Sequence, residues 1–321
     1  MLEGASGDVW KVSMMGKSTR EFWKVGRSVK GYSLVEFLHG YIYTRWPYAY
    51  IGIAKGHRKI PMLLKPFVGA LAWLLMRKGA GFGSPEAKRA FADSYHGKVV
   101  PTGAAEQLVT LVTPIELRDL ETIIPYATAR DILLSSPDHI VALDCPCRVE
   151  SENPCLPLDV CLIVGEPFAR FVTEHHPNRS HPVTQNEAVD ILRAEHERGH
   201  VHHAFFKDAM LGRFYAICNC CSCCCGAMQA HRNGTPMLAS SGFVAERTAE
   251  ACVGCGQCVQ TCPFGALSIS KGQVVINEET CMGCGVCVSQ CTQGALALRR
   301  SPEKGEPLIV SELLSNVRSS R

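Results

Sequence analysis

Two runs of cysteine near the end of the chain have a spacing suited to redox chemistry. The first is Cys252, Cys255, Cys258 and Cys262, followed by Pro263, and the second is Cys281, Cys284, Cys287 and Cys291. Each reads C-x2-C-x2-C-x3-C, and the whole unit recurs about 29 residues later, down to a shared Gly-Ala-Leu tail at Gly265 and Gly294. Three thiolates this close in sequence can wrap one face of a metal cluster only where the loop turns tightly. Gly254, Gly256, Gly283 and Gly285 permit such turns. Runs of this type hold a pair of four-iron, four-sulfide cubanes, with the fourth cysteine of each run crossing to the other cluster. The expected ligand sets are therefore Cys252, Cys255, Cys258 and Cys291 for one cluster, and Cys281, Cys284, Cys287 and Cys262 for the other. The competing reading is a pair of zinc knuckles, since C-x2-C pairs also suit zinc. The third and fourth cysteines and Pro263 favour iron–sulfur.

Over roughly residues 243–300 these motifs resemble the bacterial-type dicluster ferredoxins. The resemblance implies a small βαβ-repeat fold and one-electron transfer at low potential. Thr292 replaces the proline expected after the second run, a change that removes no ligand.

Ten further cysteines fall in two patches. Cys145, Cys147, Cys155 and Cys161 form the first, and Cys218, Cys220, Cys221, Cys223, Cys224 and Cys225 the second. Each patch leaves an apolar segment, which predicts that the segments at 139–143 and 214–217 are neighbours and bring the patches together. Thiolates this dense select soft or borderline metals. An additional iron–sulfur cluster, zinc, and unligated thiol chemistry are the open readings. Adjacent cysteines do not easily serve one cubane, so either some are spare or two centres are present. Cys224-Cys225-Gly226 is similar to the CCG motifs of heterodisulfide-reductase subunits, although the C-x2-C those motifs need downstream is already used at Cys252 and Cys255. Cys-Pro-Cys-Arg together with the run from Cys218 also resembles uncharacterised iron–sulfur proteins of anaerobic bacteria, over most of residues 95–300. Seven histidines (175, 176, 181, 196, 200, 202 and 203) crowd the same region. Most are expected at the surface, and His202 or His203, nearest the cysteine run, is the preferred ligand if any histidine is one. Arg148 could offset the charge of a thiolate-bound cluster.

The elements that must position these residues can be read in outline. Ser84-Pro85-Glu86 predicts a capped helix start. Thr113 to Glu116 reads as a capping box, with Leu117, Leu120 and Ile124 at helical spacing behind it. His139 to Leu143 reads as a buried strand, and Thr184 to Glu187 opens a helix that stops at Gly199. Residues 236–242 have the small, turn-forming composition of a linker. Leu308 to Val317 suggests a short amphipathic tail helix. The expected fold is α+β, a C-terminal ferredoxin-type βαβ repeat plus a larger, mainly helical cysteine-rich N-terminal region. The expected divisions are a basic aromatic head (1–80), a cysteine-rich metal-binding domain (81–235), the linker, the dicluster domain (243–300) and a tail (301–321).

The head carries 13 Lys and Arg against 4 Asp and Glu, a balance of +9, so with +3 overall the remaining residues carry −6. It also holds all four Trp and five of the eight Tyr. Leu34, Phe37, Leu38, Tyr41 and Ile42 lie at helical spacing, and a second apolar run spans Pro66 to Met76, too short to cross a bilayer. The open readings are core helices with a solvated basic rim, docking onto an acidic partner subunit, or membrane-surface contact on the inner face of a membrane. The polar start at Met1–Asp8 predicts no secretory leader, and dense cysteines predict a reducing, anaerobic cytoplasm. Met15-Gly16-Lys17-Ser18 lacks the upstream glycine of a phosphate loop, and no nucleotide cofactor or nucleic acid is expected. The expected function is electron transfer through the ferredoxin clusters and a centre at Cys145–Cys225, with a redox protein as partner. The alternatives are a reductase acting at the upper cysteines, an oxidoreductase subunit in that case, and a metal-handling or regulatory protein.

Overall fold

The computed structural model describes residues 16–59 and 84–319. The apolar run at 66–76 lies outside them. In chain order the first strands are β1 (Tyr95–Val99), β2 (Ile115–Leu117), β3 (Ile132–Leu134), β4 (Ile140–Leu143) and β5 (Cys161–Val164). They are followed by β6 (Ser180–Val183), β7 (Val201–Lys207), β8 (Arg213–Cys220) and β9 (Leu238–Ala239). Seven of these form one sheet in the order β6-β4-β5-β8-β7-β1-β9, antiparallel throughout except where β9 pairs parallel to β1.

The expected mainly helical N-terminal region thus contains a seven-stranded sheet that the expectation lacked. Its central strands are buried along nearly their whole length. A strand covered on both faces shows no alternation of polar and apolar residues, so its periodicity is silent. The helix Gln185–Glu197 covers one face, where His196 meets His202 at 5.7 Å between ring centroids. The head covers the other, where Tyr43 lies against Lys207. The segment at 115–117 is also a strand, not the predicted helix. Ile115 and Leu117 point inward, Glu116 outward, and the strand pairs with β3. That is a period of two, which the Thr113–Glu116 spacing disguised.

The head contributes helices Lys17–Ser28, Leu34–Arg45 and Pro47–Ala54. Ser33 caps the second, accepting from Glu36 N at 3.2 Å while the Glu36 carboxylate accepts from Ser33 N. Its buried stripe is Phe37, Gly40 and Thr44, while Leu34 and Leu38 are exposed. Gly40 decides this, because a Cβ there would stand 2.1 Å from the carbonyl oxygen of Ala209. Phe22 packs edge-on against Phe37 and Phe168 at 5.3 and 5.5 Å, and Tyr32 donates to Ala209 O at 2.8 Å. The described part of the head is thus built onto the sheet.

Residues 236–242, read as a linker from composition, are a structural part of both units. Met237, Leu238 and Ala239 are buried, and Leu238 pairs with Gly97 as the edge of the large sheet. Two residues on, Ser241 N donates to Met282 O at 3.1 Å and its hydroxyl to Gly283 O at 2.8 Å. The C-terminal unit then runs β10 (Phe243–Arg247), helix Gln257–Thr261, β11 (Leu267–Ser270), β12 (Gln273–Ile276), helix Val286–Ser289 and β13 (Leu296–Arg300). β10 pairs with β13 and β11 with β12, both antiparallel. A small core of Val244, Leu267, Val274 and Leu296 lies between them, whereas Met282 and Val286 pack into the main core. The tail helix spans Val310–Ser319. Among the described residues no helix is long and apolar enough to cross a membrane.

Candidate metal centres

The first two cysteines of each run lie on a loop that ends in a glycine of left-handed backbone, Gly256 (φ 79°) or Gly285 (φ 83°), and the third lies in the short helix that follows. Gly254 and Gly283 cannot carry a side chain. A Cβ would meet Gly272 O at 1.9 Å in the first case and Phe243 O at 2.2 Å in the second. Backbone amides are aimed at sulfur: Ala245 N at Cys281 Sγ (3.4 Å), Ala266 N at Cys262 Sγ (3.3 Å) and Ala295 N at Cys291 Sγ (3.3 Å). Such donors stabilise thiolate over thiol.

Electrostatics sort the eight into two sets. Burial raises the Cys258 thiol, and the thiolates that act on it are Cys291, Cys255 and Cys252. Burial likewise raises Cys284, whose neighbours are Cys287, Cys262 and Cys281, and it pushes Cys287 up to about 12. Each fourth cysteine thus acts on the thiols of the other run, and Cys258 also acts on Cys287. A cavity of about 20 Å³ touches all four of Cys262, Cys281, Cys284 and Cys287. The two sets differ in exposure: Cys255 is open to solvent and Cys252 half-buried, whereas Cys281 and Cys287 are buried. Eight thiols in two fours, amides on sulfur and glycines that admit nothing larger fit a pair of cubanes.

The ten upper cysteines are assembled by the sheet. β4 delivers Cys145 and Cys147, β5 begins at Cys161, and β8 ends in Cys218 and Cys220. The segments 139–143 and 214–217 are not direct neighbours as expected, because β5 lies between them, pairing Leu143 with Cys161 and Ile217 with Leu162. The patches meet all the same, but as two separate groups. Six thiols form a line of sulfur contacts: Cys218 to Cys161 (3.9 Å), Cys161 to Cys145, Cys145 to Cys147, Cys147 to Cys225 and Cys225 to Cys220. The ends, Cys218 and Cys220, lie two residues apart on one strand, on one face of the sheet. Hydrogen bonds from Cys147 and Cys161, helped by Arg148, hold the Cys145 thiol well below its usual range. The second group is Cys155, Cys221, Cys223 and Cys224, whose sulfurs all lie within 4.8 Å of one another.

Arg148 is fully buried, but its charge is already matched. It pairs with Glu195, which also bonds His200 Nδ1 at 2.7 Å and Arg198 at 3.0 Å. Among the described residues, a cation that does face the thiol groups is Lys55, just past the third head helix. Its ammonium donates to Cys147 O (3.0 Å), Cys224 O (2.9 Å) and Ser151 Oγ (2.9 Å), on the seam between the two groups. Nothing in the sequence marks Lys55, which ends an ordinary apolar helix. The histidines are less exposed than expected. His176, His202 and His203 are buried, and none of the seven joins the four-thiol group. His202 Nδ1 meets Asn219 Oδ1 at 2.6 Å, while neither ring nitrogen of His203 has a partner among the described residues. Beyond His203 on the same strand, Lys207 lies over the rings of Tyr43 and Tyr95 at 4.8 and 4.1 Å, and Tyr43 Oη meets Tyr215 Oη at 2.9 Å. Burial pushes the Lys207 ammonium down to about 7.

A family model described as a 4Fe-4S dicluster domain matches residues 251–295, well under half of the chain. No curated protein and no solved structure matches. Residues 251–295 thus carry a ferredoxin-like iron–sulfur domain.

Proposed function

We propose that the protein transfers single electrons, exchanging them between a redox partner and a further metal centre in the upper domain. The observation that carries this is the pairing of eight thiols into two fours inside the matched domain, with the second four pressed against the domain that holds ten more. Two cubanes, when bound, supply one-electron chemistry at low potential. The chain's part is to hold the sulfurs, aim amides at them and control water. Cys255 and Cys252 lie at the solvent side, where a partner can approach, and Met282 and Val286 seal the other set into the main core. All eighteen cysteines are unpaired, which accords with a reducing compartment and a cytoplasmic site of action. In this reading the basic head serves partner docking, and membrane-surface contact through residues 1–80 is the lesser alternative.

A reductase is the second reading, favoured by one observation. Lys207, Tyr43 and Tyr215 place proton-bearing groups on the sheet face that carries Cys218. Iron and acid-labile sulfide counted on anaerobically purified protein test the principal reading. It requires at least about eight of each per chain, with a reduced-state spectrum of interacting clusters. Zinc in place of iron at residues 252–291 would overturn it.

A further inference from the structure

The four thiols Cys155, Cys221, Cys223 and Cys224 differ from every other set of cysteines in this chain by how tightly they close. Their sulfurs lie within 4.8 Å of one another, with Cys155 to Cys223 at 3.0 Å and Cys223 to Cys224 at 3.5 Å. One metal ion bonded to four sulfurs at about 2.3 Å in a tetrahedron places those sulfurs about 3.8 Å apart. A cubane sets an iron between each thiolate and the cluster centre, so its four terminal sulfurs must stand much wider. The chain supplies its own comparison. The eight cysteines at 252–291 sit in the matched dicluster domain, and neither of their fours closes to the spacing of the upper four.

The turn that presents these thiols is fixed from outside. Three consecutive carbonyls are each held by a side chain: Ser222 O by Arg232 Nη2 (2.7 Å), Cys223 O by Gln229 Nε2 (2.9 Å) and Cys224 O by Lys55 Nζ (2.9 Å). With the carbonyls tied, the sulfurs converge, and Cys224 N donates to Cys221 Sγ at 3.4 Å. Four thiolates around a divalent ion leave a charge of −2, which the Lys55 ammonium and the solvent at exposed Cys223 can offset.

We infer that Cys155, Cys221, Cys223 and Cys224 form a mononuclear tetrathiolate site for one divalent zinc or iron ion, free of sulfide and separate from the other six upper thiols. This rests on reading the upper cysteines as metal ligands and narrows what one of the two groups takes. The test compares full-length wild type with Cys223→Ser, both purified without oxygen, for zinc, iron and acid-labile sulfide. The expected result is the loss of one metal ion per chain, with sulfide and the reduced-state spectrum of the ferredoxin-like domain unchanged; the element lost tells zinc from iron. Loss of iron and sulfide together would overturn the proposal in favour of a cluster, and loss of nothing would overturn it in favour of free thiols. Should the variant not fold, alkylation of native wild type followed by peptide mapping decides. Exposed Cys223 is expected to label only after a chelator is added, and immediate labelling, or a Cys155–Cys223 disulfide, would overturn the site. If iron and sulfide are present at residues 252–291 but no sulfide-free ion is found, only this inference falls. If they too are absent, the electron-transfer reading falls with it.

Discussion

Arg148 lies next to Cys147 in sequence, yet its role is set by Glu195, 47 residues away. The guanidinium is wholly buried, and removing its carboxylate would leave a charge in the core with no counterpart. Glu195→Leu is therefore expected to lower stability by about 3–5 kcal/mol, measured by urea unfolding. His203 poses the opposite problem. Burial keeps it neutral, with its pKa lowered to about 3 against an ordinary 6.5. Between those values the unfolded chain binds a proton that the folded chain refuses. His203 therefore subtracts nothing above pH 6.5, and stability falls as pH drops from 6.5 toward 3, by about 1.4 kcal/mol per pH unit. His203→Leu is expected to narrow the gap in melting temperature between pH 7 and pH 5, and an unchanged gap would show that the ring is not held neutral. At this scale the sequence was uneven. Cysteine spacing is local, so the 4Fe-4S dicluster domain could be read from its motifs directly. Lys55, Glu195 and the division of ten cysteines into six and four depend on contacts between distant segments and leave no local pattern.

Elements were legible where their ends carry chemistry. Ser84 and Thr184 each cap a helix whose start the residues announce. Thr184→Ala is expected to cost about 1 kcal/mol in thermal or urea unfolding, because the Glu187 amide loses its acceptor. Strands were less legible, for two different reasons. β7 and β8 are covered on both sides, so their apolar runs carry no period, whereas β2 is so short that a capping-box spacing outweighed its alternation. The strand at Leu238–Ala239 was hidden by its neighbours: Gly234, Pro236, Ser240 and Ser241 suggest a loop, yet these two residues complete a sheet.

At the scale of the whole molecule, the two sets of C-terminal cysteines face different surroundings. One borders solvent at Cys255 and the other borders the main core at Met282. A soluble iron chelator applied to the reduced protein is expected to strip about half of the iron of residues 252–291 well before the rest. With Cys255→Ser the fast phase should vanish, while a single uniform phase in wild type would contradict the asymmetry.

The bonds from Ser241 to Met282 and Gly283 have a mechanical meaning. A carrier domain on a loose tether delivers its cargo by swinging, and its delivery slows as the solvent thickens. Here the chain that joins the two units is a sheet strand at one end and is hydrogen-bonded to the second cysteine loop at the other. The protein is built as a soldered joint and not as a crane. Internal electron exchange is accordingly expected to hold its rate when glycerol is added, and a rate that falls in step with viscosity would mean that the joint opens.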